Sequence, residues 1–443
     1  MNLYFLESLD IREHPIKKAK TKAKTKYFTA LSYIADKAAG KVGSNQEEVK
    51  KYISERLNLY RTELFADIEI PNVSDAINEK ACINCLYSFV TKPWRKNYRF
   101  MLVCDAALVL LEKTLVVYAA EIIKEFLSRK RQLEIEQIIS LLYSCGDIGK
   151  KYICVSPLIK QYRLNNEFFS QDERRIIVTA NISAGKSTLI NALVGKPIAR
   201  TSQEICTDNV CYLFNKAFED GNIYLATQAL KINATNEELH SYDWGGHISI
   251  ASYFAAITSH TPRMCIIDTP GVDAALYKEH GRRTRNALIN DSYDIIIYVI
   301  CPTRLGTDAE KKHMQWVAQN LQKDKVIFVL NKLDDYRDYA DSIDESINGL
   351  KKDLLEIGFE DPVICPISAY FAYLLKLRMT GQHLSEDEKD EYDLYSKKFK
   401  RDSYDLSRYY KNVKCLPDDS EEIVLSKRVG LYGLEKIIYG GQL

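Results

Sequence analysis

Between Arg174 and Leu193 the chain reads RRIIVTANISAGKSTLINAL, and no other stretch restricts its fold as tightly. The apolar run Ile176, Ile177 and Val178 predicts a short buried strand. Lys186-Ser187-Thr188, followed by Leu189, Ile190, Ala192 and Leu193, predicts the opening of a helix. A strand that turns into a helix over so few residues presents backbone N–H groups at the turn. A polyphosphate needs those groups, a helix N-terminus beneath it, an ammonium near its outer phosphates and a hydroxyl on Mg2+. Residues Ala180 to Ser187 supply this set: Asn181, Ser183, Ala184 and Gly185 line the turn, Lys186 is the ammonium and Ser187 the hydroxyl, with Thr188 next to it. Ala180 stands where the pattern G-x-x-x-x-G-K-[ST] has its first glycine, which adds one methyl group to the loop.

A chain of 443 residues predicts two or three domains and a substantial core. Its 61 Lys and Arg against 60 Asp and Glu exclude an argument for nucleic acid from overall charge, so an electrostatic partner has to meet a local patch. The eleven cysteines are scattered, and Cys104, Cys154, Cys265, Cys301 and Cys365 sit in apolar runs, which predicts reduced thiols rather than a disulfide framework. Cys82 and Cys85 form a lone C-x-x-C without the second pair that zinc requires, and read as two cysteines on a helix. The first residues have no basic start leading into an apolar stretch, so a cytoplasmic protein is expected. Met101 to Ala120 is interrupted by Asp105, Glu112 and Lys113 and reads as a buried helix rather than a membrane span.

Up to about residue 170 the pattern is helical. Ser44 and Glu47 form a capping box, after which Val49, Ile53, Leu57, Tyr60 and Leu64 recur at helical spacing. Trp94 to Cys145 contains neither proline nor glycine and predicts two long helices, with the charged SRKRQ at 128–132 as a solvated interruption. Lys17 to Lys26, KKAKTKAKTK, is a basic run that reads as a solvated face or mobile arm, with anionic lipid or nucleic acid as its alternative ligands. Beyond residue 170, short apolar strands alternate with amphipathic helices, the pattern of a mostly parallel sheet covered on both faces. Strands are expected at 175–179, 264–268, 295–300, 326–330 and 363–367. A charged, tyrosine-rich helical insertion follows at about 382–420, with Ser385 and Glu388 marking a helix start, and Leu431, Leu434, Ile437 and Ile438 form a closing helix. The organisation expected is thus a helical domain over 1–170 and an α/β domain over 171–443.

In an open α/β sheet, ligands meet the loops at the C-terminal strand ends, and there the remaining motifs lie. Asp268-Thr269-Pro270-Gly271 follows the second expected strand; its carboxylate suits a Mg2+ water, and Gly271 suits an N–H directed at the outermost phosphate. Asn331-Lys332-Leu333-Asp334 follows the fourth, and Asp334 can accept hydrogen bonds from both N1–H and the exocyclic amine of guanine. Adenine lacks that donor pair and would leave a buried carboxylate unpaired, so guanine is selected. Ser368-Ala369, after the last strand, offers a backbone N–H to the guanine carbonyl. In the loop between Arg200 and Val210, Thr207 is the candidate for a switch hydroxyl on Mg2+, with Thr201 and Ser202 as competitors.

With these residues in place, 174–443 resembles the GTPase domain of the dynamin superfamily, particularly bacterial dynamin-like proteins. NISAGKSTLINAL, DTPGV, NKLD and VGLYGLEKII carry the resemblance. It implies a P-loop NTPase fold preceded by an all-α domain, GTP and Mg2+ as ligands, and GTP hydrolysis stimulated when two GTPase domains meet on a membrane-bound assembly. Carried over residue by residue, Ser183, Gly185, Lys186, Ser187 and Thr188 match the phosphate cradle, and Thr207 the first switch. Asp268 and Gly271 match the second switch, and Asn331, Lys332 and Asp334 the base site. Catalytic roles then fall on Ser183, Lys186, Thr207 and Gly271, and Mg2+ on Ser187, Thr207 and Asp268. Ile182 stands where many dynamins place a polar residue that orients water, and Val272 stands where small signalling GTPases carry glutamine. Neither can polarise water, so slow intrinsic turnover is expected, with backbone groups, Ser183, Thr207, a monovalent cation or a partner completing the site. Few residues follow the closing helix where the family places a stalk, which implies either a fragment or N-terminal helices that do the stalk's work.

Three functions are consistent with this pattern: a GTP-hydrolysing dynamin-like enzyme that self-associates and contacts membranes peripherally, a regulatory switch GTPase acting on a protein or RNA, and a scaffold that binds GTP without turnover.

Overall fold

The structure is a computed structural model and describes residues 7–41, 47–65, 79–181, 183–199, 210–227, 230–239, 248–257, 262–270, 278–337 and 341–440. The chain divides into two compact units: Met1–Gln171 with Lys216–Ala234, and Asp172–Asn215 with Thr235–Leu443.

The first unit is helical: α1 (Thr21–Ala39), α2 (Glu47–Phe65), α3 (Glu79–Val90), α4 (Lys96–Leu110), α5 (Lys113–Lys124), α6 (Arg129–Leu142) and α7 (Ser156–Phe169). Its axis is α4, buried at every residue from Arg99 to Leu110 because FMLVCDAALVL is apolar on all sides. The one acid in that run, Asp105, accepts hydrogen bonds from Tyr27 and from Tyr60 Oη (3.0 Å) and lies 3.2 Å from His14 Nε2, so α1, α2 and the N-terminal segment are all tied to α4. Where two helices are expected over 94–145 there are three. The unforeseen break is at Leu111, whose φ of 62° no glycine signals; its carbonyl accepts from Tyr162 Oη at 3.2 Å, a tertiary contact that holds the turn. The basic run 17–26 is not an arm. It crosses a 3-10 turn into α1, where Lys17 pairs with Glu63 (2.7 Å) and Lys24 Nζ donates to the Leu64 carbonyl (3.1 Å). Ser44 of the expected capping box lies outside the described residues.

Lys216–Ala234 goes with this helical unit, a placement that local pattern does not announce. Ser8 Oγ donates to the Phe218 carbonyl (2.8 Å), Leu9 N–H donates to Asp220 Oδ2 (2.9 Å), and Lys216 pairs with Asp220 while its ammonium lies 3.7 Å from the Tyr224 ring centre. The stretch carries an antiparallel hairpin, β3 (Tyr224–Ala226) and β4 (Leu230–Ile232).

The second unit is built on β1 (Arg174–Ala180), β2 (Cys211–Asn215), β5 (Ile248–Ser252), β6 (Met264–Asp268), β7 (Ile295–Ile300), β8 (Val326–Leu330) and β9 (Val363–Pro366). These strands lie side by side in the order β5-β2-β6-β1-β7-β8-β9; β6, β1, β7, β8 and β9 are parallel, while β2 and β5 run parallel to each other and antiparallel to those five. Strands β5 to β8 are buried at every residue, as a sheet covered on both faces requires. The helices are α8 (Lys186–Val194), a short α9 (Asn236–Leu239), α10 (Lys278–Asn290), α11 (Asp308–Asn320), α12 (Ile343–Ile357), α13 (Ala369–Met379), α14 (Glu386–Phe399), α15 (Glu421–Arg428) and α16 (Leu431–Gly440). The five expected strands are present; β2 and β5 were not foreseen because CYLFN and ISIAS mix polar and apolar residues too briefly to show a period. The charged insertion is helix α14, opened by the Ser385–Glu388 capping box and packed on α13 through Phe399 against Phe371. Among the described residues no helix is long and apolar enough to cross a membrane.

Candidate functional site

β1 lies between β6 and β7, so the turn after Ala180 emerges mid-sheet with the ends of β6 and β8 close by. Ser183 (φ 63°) and Gly185 (φ 88°) both adopt left-handed backbone, which curls the turn before α8 begins at Lys186. A Cβ on Gly185 would lie 2.2 Å from Asn331 Nδ2, so only glycine fits there. Ser187 and Thr188 occupy the first turn of α8 and are half-buried, and the N–H groups of that turn have no partner within the helix. Ala180 is fully buried in the strand, so its extra methyl is absorbed by the core rather than projected into the loop.

At the phosphate end, Lys186 forms a buried ion pair with Asp268, the last residue of β6. The loop beyond Asp268 is anchored by Thr269 Oγ1 donating to the Val178 carbonyl (2.8 Å) and Thr284 Oγ1 donating to the Pro270 carbonyl (2.6 Å). At the far end, Asn331 joins three loops: its Nδ2 donates to the Ala184 carbonyl and its Oδ1 accepts from Ala369 N–H, both at 2.9 Å. Asn331 is therefore a brace between the phosphate loop and the last loop. Lys332 takes left-handed backbone (φ 63°). Ser368 caps α13 by accepting from Phe371 N–H, and Ala369 is fully buried behind it.

Asp334 is the group left over. Its side chain is largely buried, Ser368 supplies it with a hydrogen bond, and Oδ1 has no partner among the described residues. Burial raises its pKa above the ordinary carboxylate value, against the opposing pull of Ser368. A buried acceptor without a donor is costly, and a ligand that brings N–H groups removes the cost.

Two sets of supporting residues were not visible in the sequence. Asn181 Nδ2 donates to Glu310 Oε2 (2.7 Å), whose other oxygen accepts from Tyr298 Oη (2.6 Å), so the floor of the phosphate loop rests on α11. Lys398, in the last turn of α14, donates to the carbonyls of Asp334 (2.6 Å) and Tyr336, and Tyr404 Oη donates to the Tyr336 carbonyl at 2.9 Å. The insertion thus clamps the loop that carries Asp334. No spacing links 310 to 181 or 398 to 334, so no local signal was available. Ile182, Thr201, Ser202, Thr207, Gly271 and Val272 lie outside the described residues.

A strand-turn-helix phosphate loop braced to an N-K-x-D loop, on a mostly parallel sheet, defines the class as a P-loop GTPase fold. Residues 176–333 match the model of the Dynamin family, and the domain is a dynamin-superfamily GTPase domain. Over 254 residues the chain is 24% identical to an Arabidopsis thaliana protein described as "Probable transmembrane GTPase FZO-like, chloroplastic"; the match takes in 57% of this chain and 25% of that one. The chain thus spans about a quarter of that relative's length. Similar solved structures include an oligomerised bacterial dynamin pair (TM-score 0.37, 15% identity, 86% of this chain and 72% of that one). Another is Toc33 from Arabidopsis thaliana in complex with Mg2+ and GMPPNP (TM-score 0.33, 16% identity, 63% and 92%).

Proposed function

We propose that the second unit binds GTP with Mg2+ and hydrolyses it to GDP and phosphate, and that the protein works as a dynamin-like enzyme through nucleotide-dependent self-association in contact with a membrane. The observation that carries the nucleotide reading is Asp334 Oδ1, a buried acceptor lacking a donor, at the place where guanine N1–H and its amine would arrive. Asn331 and Lys332 shape that pocket and Ser368 and Ala369 border it; the backbone N–H expected there for the guanine carbonyl is already engaged, since Ser368 N–H donates to the Val429 carbonyl (3.3 Å) and Ala369 N–H to Asn331 Oδ1 (2.9 Å).

At the other end, Ser183, Gly185, Ser187 and Thr188 would offer N–H groups to the phosphates, Ala184 N–H being held by the Asn181 carbonyl (3.3 Å), and Lys186 would exchange Asp268 for the outer phosphates. Mg2+ fits the group left behind: Asp268, freed of its ammonium, is a buried carboxylate suited to hold a metal-bound water, with the Ser187 hydroxyl and Thr207 as further ligands. When bound, the ion neutralises charge developing on the phosphates. In this reading Ser183 and the Thr207 carbonyl orient the attacking water, and Gly271 N–H meets the outermost phosphate. Ile182 and Val272 contribute nothing to that step, which leaves room for a second copy of the chain to supply what is missing.

Phosphate release from the purified chain, followed against protein concentration, tests this reading. A rate that climbs faster than linearly supports activation by self-pairing, and Lys186→Ala should lower it about a thousandfold. No phosphate release would reduce the domain to a GTP-binding scaffold. Strictly linear release, with capture of a protein or RNA only in the GTP form, would favour a regulatory switch.

A further inference from the structure

Within the helical unit, the C-terminal end of α3, the following turn and the start of α6 meet. Pro93–Arg95 forms a single 3-10 turn, and the main chain before it is held from three sides. Arg131 donates to the Thr91 carbonyl, Arg95 Nη1 to the Ser88 carbonyl (3.1 Å) and Arg99 Nη1 to the Val90 carbonyl (2.9 Å). This rigid turn does not bury its tryptophan. Trp94 is 76% exposed, more than any other large apolar side chain among the described residues. Tyr87, 54% exposed, and Leu133, 46% exposed, lie on the two helices that flank the turn.

The two stretches that meet at this turn carry charge of one sign. TKPWRKNYR at 91–99 and SRKRQ at 128–132 contain no acid, and the Arg131 bond to Thr91 brings the two stretches together. Arg99 is neutralised by Glu134 at 3.0 Å, and Arg129 is 3.8 Å from Glu136. Lys92, Lys96 and Lys130 have no carboxylate partner among the described residues. The Lys92 ammonium instead lies 5.5 Å from the centre of the Trp94 ring. Leu133 follows Arg129 and Lys130 by one helical turn, so an aliphatic side chain shares their face.

We propose that this Trp94 tip is a docking surface for an anionic phospholipid bilayer. A tryptophan presented by a stiff turn, with Lys92 against its ring, in a segment free of acids, matches the boundary between headgroups and acyl chains. There the indole settles at the interface and the ammonium groups meet lipid phosphates. Nucleic acid fits less well, because Leu133 gains nothing from a phosphate backbone and a single exposed indole offers no run of stacking platforms. An acidic protein also fits less well, because lysine is depleted from protein interfaces. The surface deepens the membrane part of the function proposed above and rests on that part alone; it lies in the helical unit and does not involve the nucleotide residues.

Vesicle co-sedimentation of the full chain without nucleotide tests it, using phosphatidylcholine vesicles with and without phosphatidylserine. Wild type should pellet with the phosphatidylserine vesicles only, and its tryptophan emission should shift to shorter wavelength. Trp94→Ala should weaken partitioning about tenfold, and the double variant Lys92→Glu, Lys130→Glu by at least about twentyfold, since each membrane-facing cation contributes about fivefold. Trp94→Phe should retain most binding but lose the emission shift. An unchanged urea denaturation profile of the helical unit in all variants confirms that they are folded. Full binding by both weakened variants would overturn this surface while leaving the membrane reading intact, whereas wild type that ignores every vesicle would overturn both. Binding to single-stranded RNA with none to vesicles would also overturn the proposal.

Discussion

Asp105 in the helical unit is a fully buried carboxylate, and Asp334 in the GTPase unit is a half-buried one whose Oδ1 is shielded from solvent. Asp105 is fully enclosed and has His14, Tyr27 and Tyr60 around its two oxygens. Asp334 receives help from Ser368 and keeps one oxygen without a donor. The difference separates structure from function. A carboxylate whose partners all come from its own chain stitches helices together, while one left short of donors is waiting for a ligand. The same contrast holds within the site. Lys186 is internally paired with Asp268 whereas Asp334 Oδ1 has no donor among the described residues, so in the proposed reading nucleotide displaces a partner at the first and supplies one at the second.

The strongest test of the contrast is exchange of the unsatisfied acceptor. Asp334→Asn turns an acceptor into a donor facing guanine N1–H, so GDP affinity should fall about a hundredfold and xanthosine diphosphate should become the preferred ligand. Unchanged GDP binding in a fluorescent nucleotide titration would place the base elsewhere. Asp105→Ala should do the reverse. It strands two tyrosine hydroxyls and a histidine nitrogen in the core and should cost the helical unit about 3 kcal/mol in urea denaturation, with GDP affinity untouched. A parallel loss of GDP binding would erase the distinction between the two carboxylates.

A smaller effect is expected from the clamp. Lys398→Met keeps the aliphatic stem but removes the ammonium that holds the Asp334 and Tyr336 carbonyls, and should weaken GDP and GTP about fivefold. Discrimination against inosine nucleotides, which lack the amine, should narrow, and kcat at saturating GTP should stay constant. A fall in kcat with unchanged affinity would show that Lys398 serves the phosphate end instead. The smallest effect is the dependence on pH. Because burial raises the folded-state pKa of Asp334, its protonation on acidification begins above the ordinary aspartate range. GDP affinity should therefore weaken in that window. The ligand-free unit, relieved of a buried charge, should gain stability there and lose it again as pH rises through the raised value. The difference in Tm between wild type and Asp334→Asn across that range isolates this group, and a flat difference would mean that Asp334 is not under strain.

What was legible in advance follows from the range of the physics involved. The turn after β1, the N-K-x-D loop after β8 and the capping box of α14 are each specified within about ten residues by strand period, backbone handedness and a helix end, so they stood out in the amino-acid sequence. The same local rules gave no hint of Leu111, whose strained turn is held by Tyr162, nor of Lys216–Ala234, which contacts Ser8 and Leu9 some two hundred residues earlier in the chain.

Sequence alone, then, determined the class of fold and the order in which the candidate nucleotide loops follow their strands, because these depend on neighbours in the chain. Tertiary structure alone decided that Asn331 braces the phosphate loop, that Glu310 supports its floor, that Lys398 holds the base loop from an insertion, and that Trp94 stays outside the core. Each of these joins or separates side chains far apart along the chain, and whether a distant pair meets is settled only when the core has closed around it.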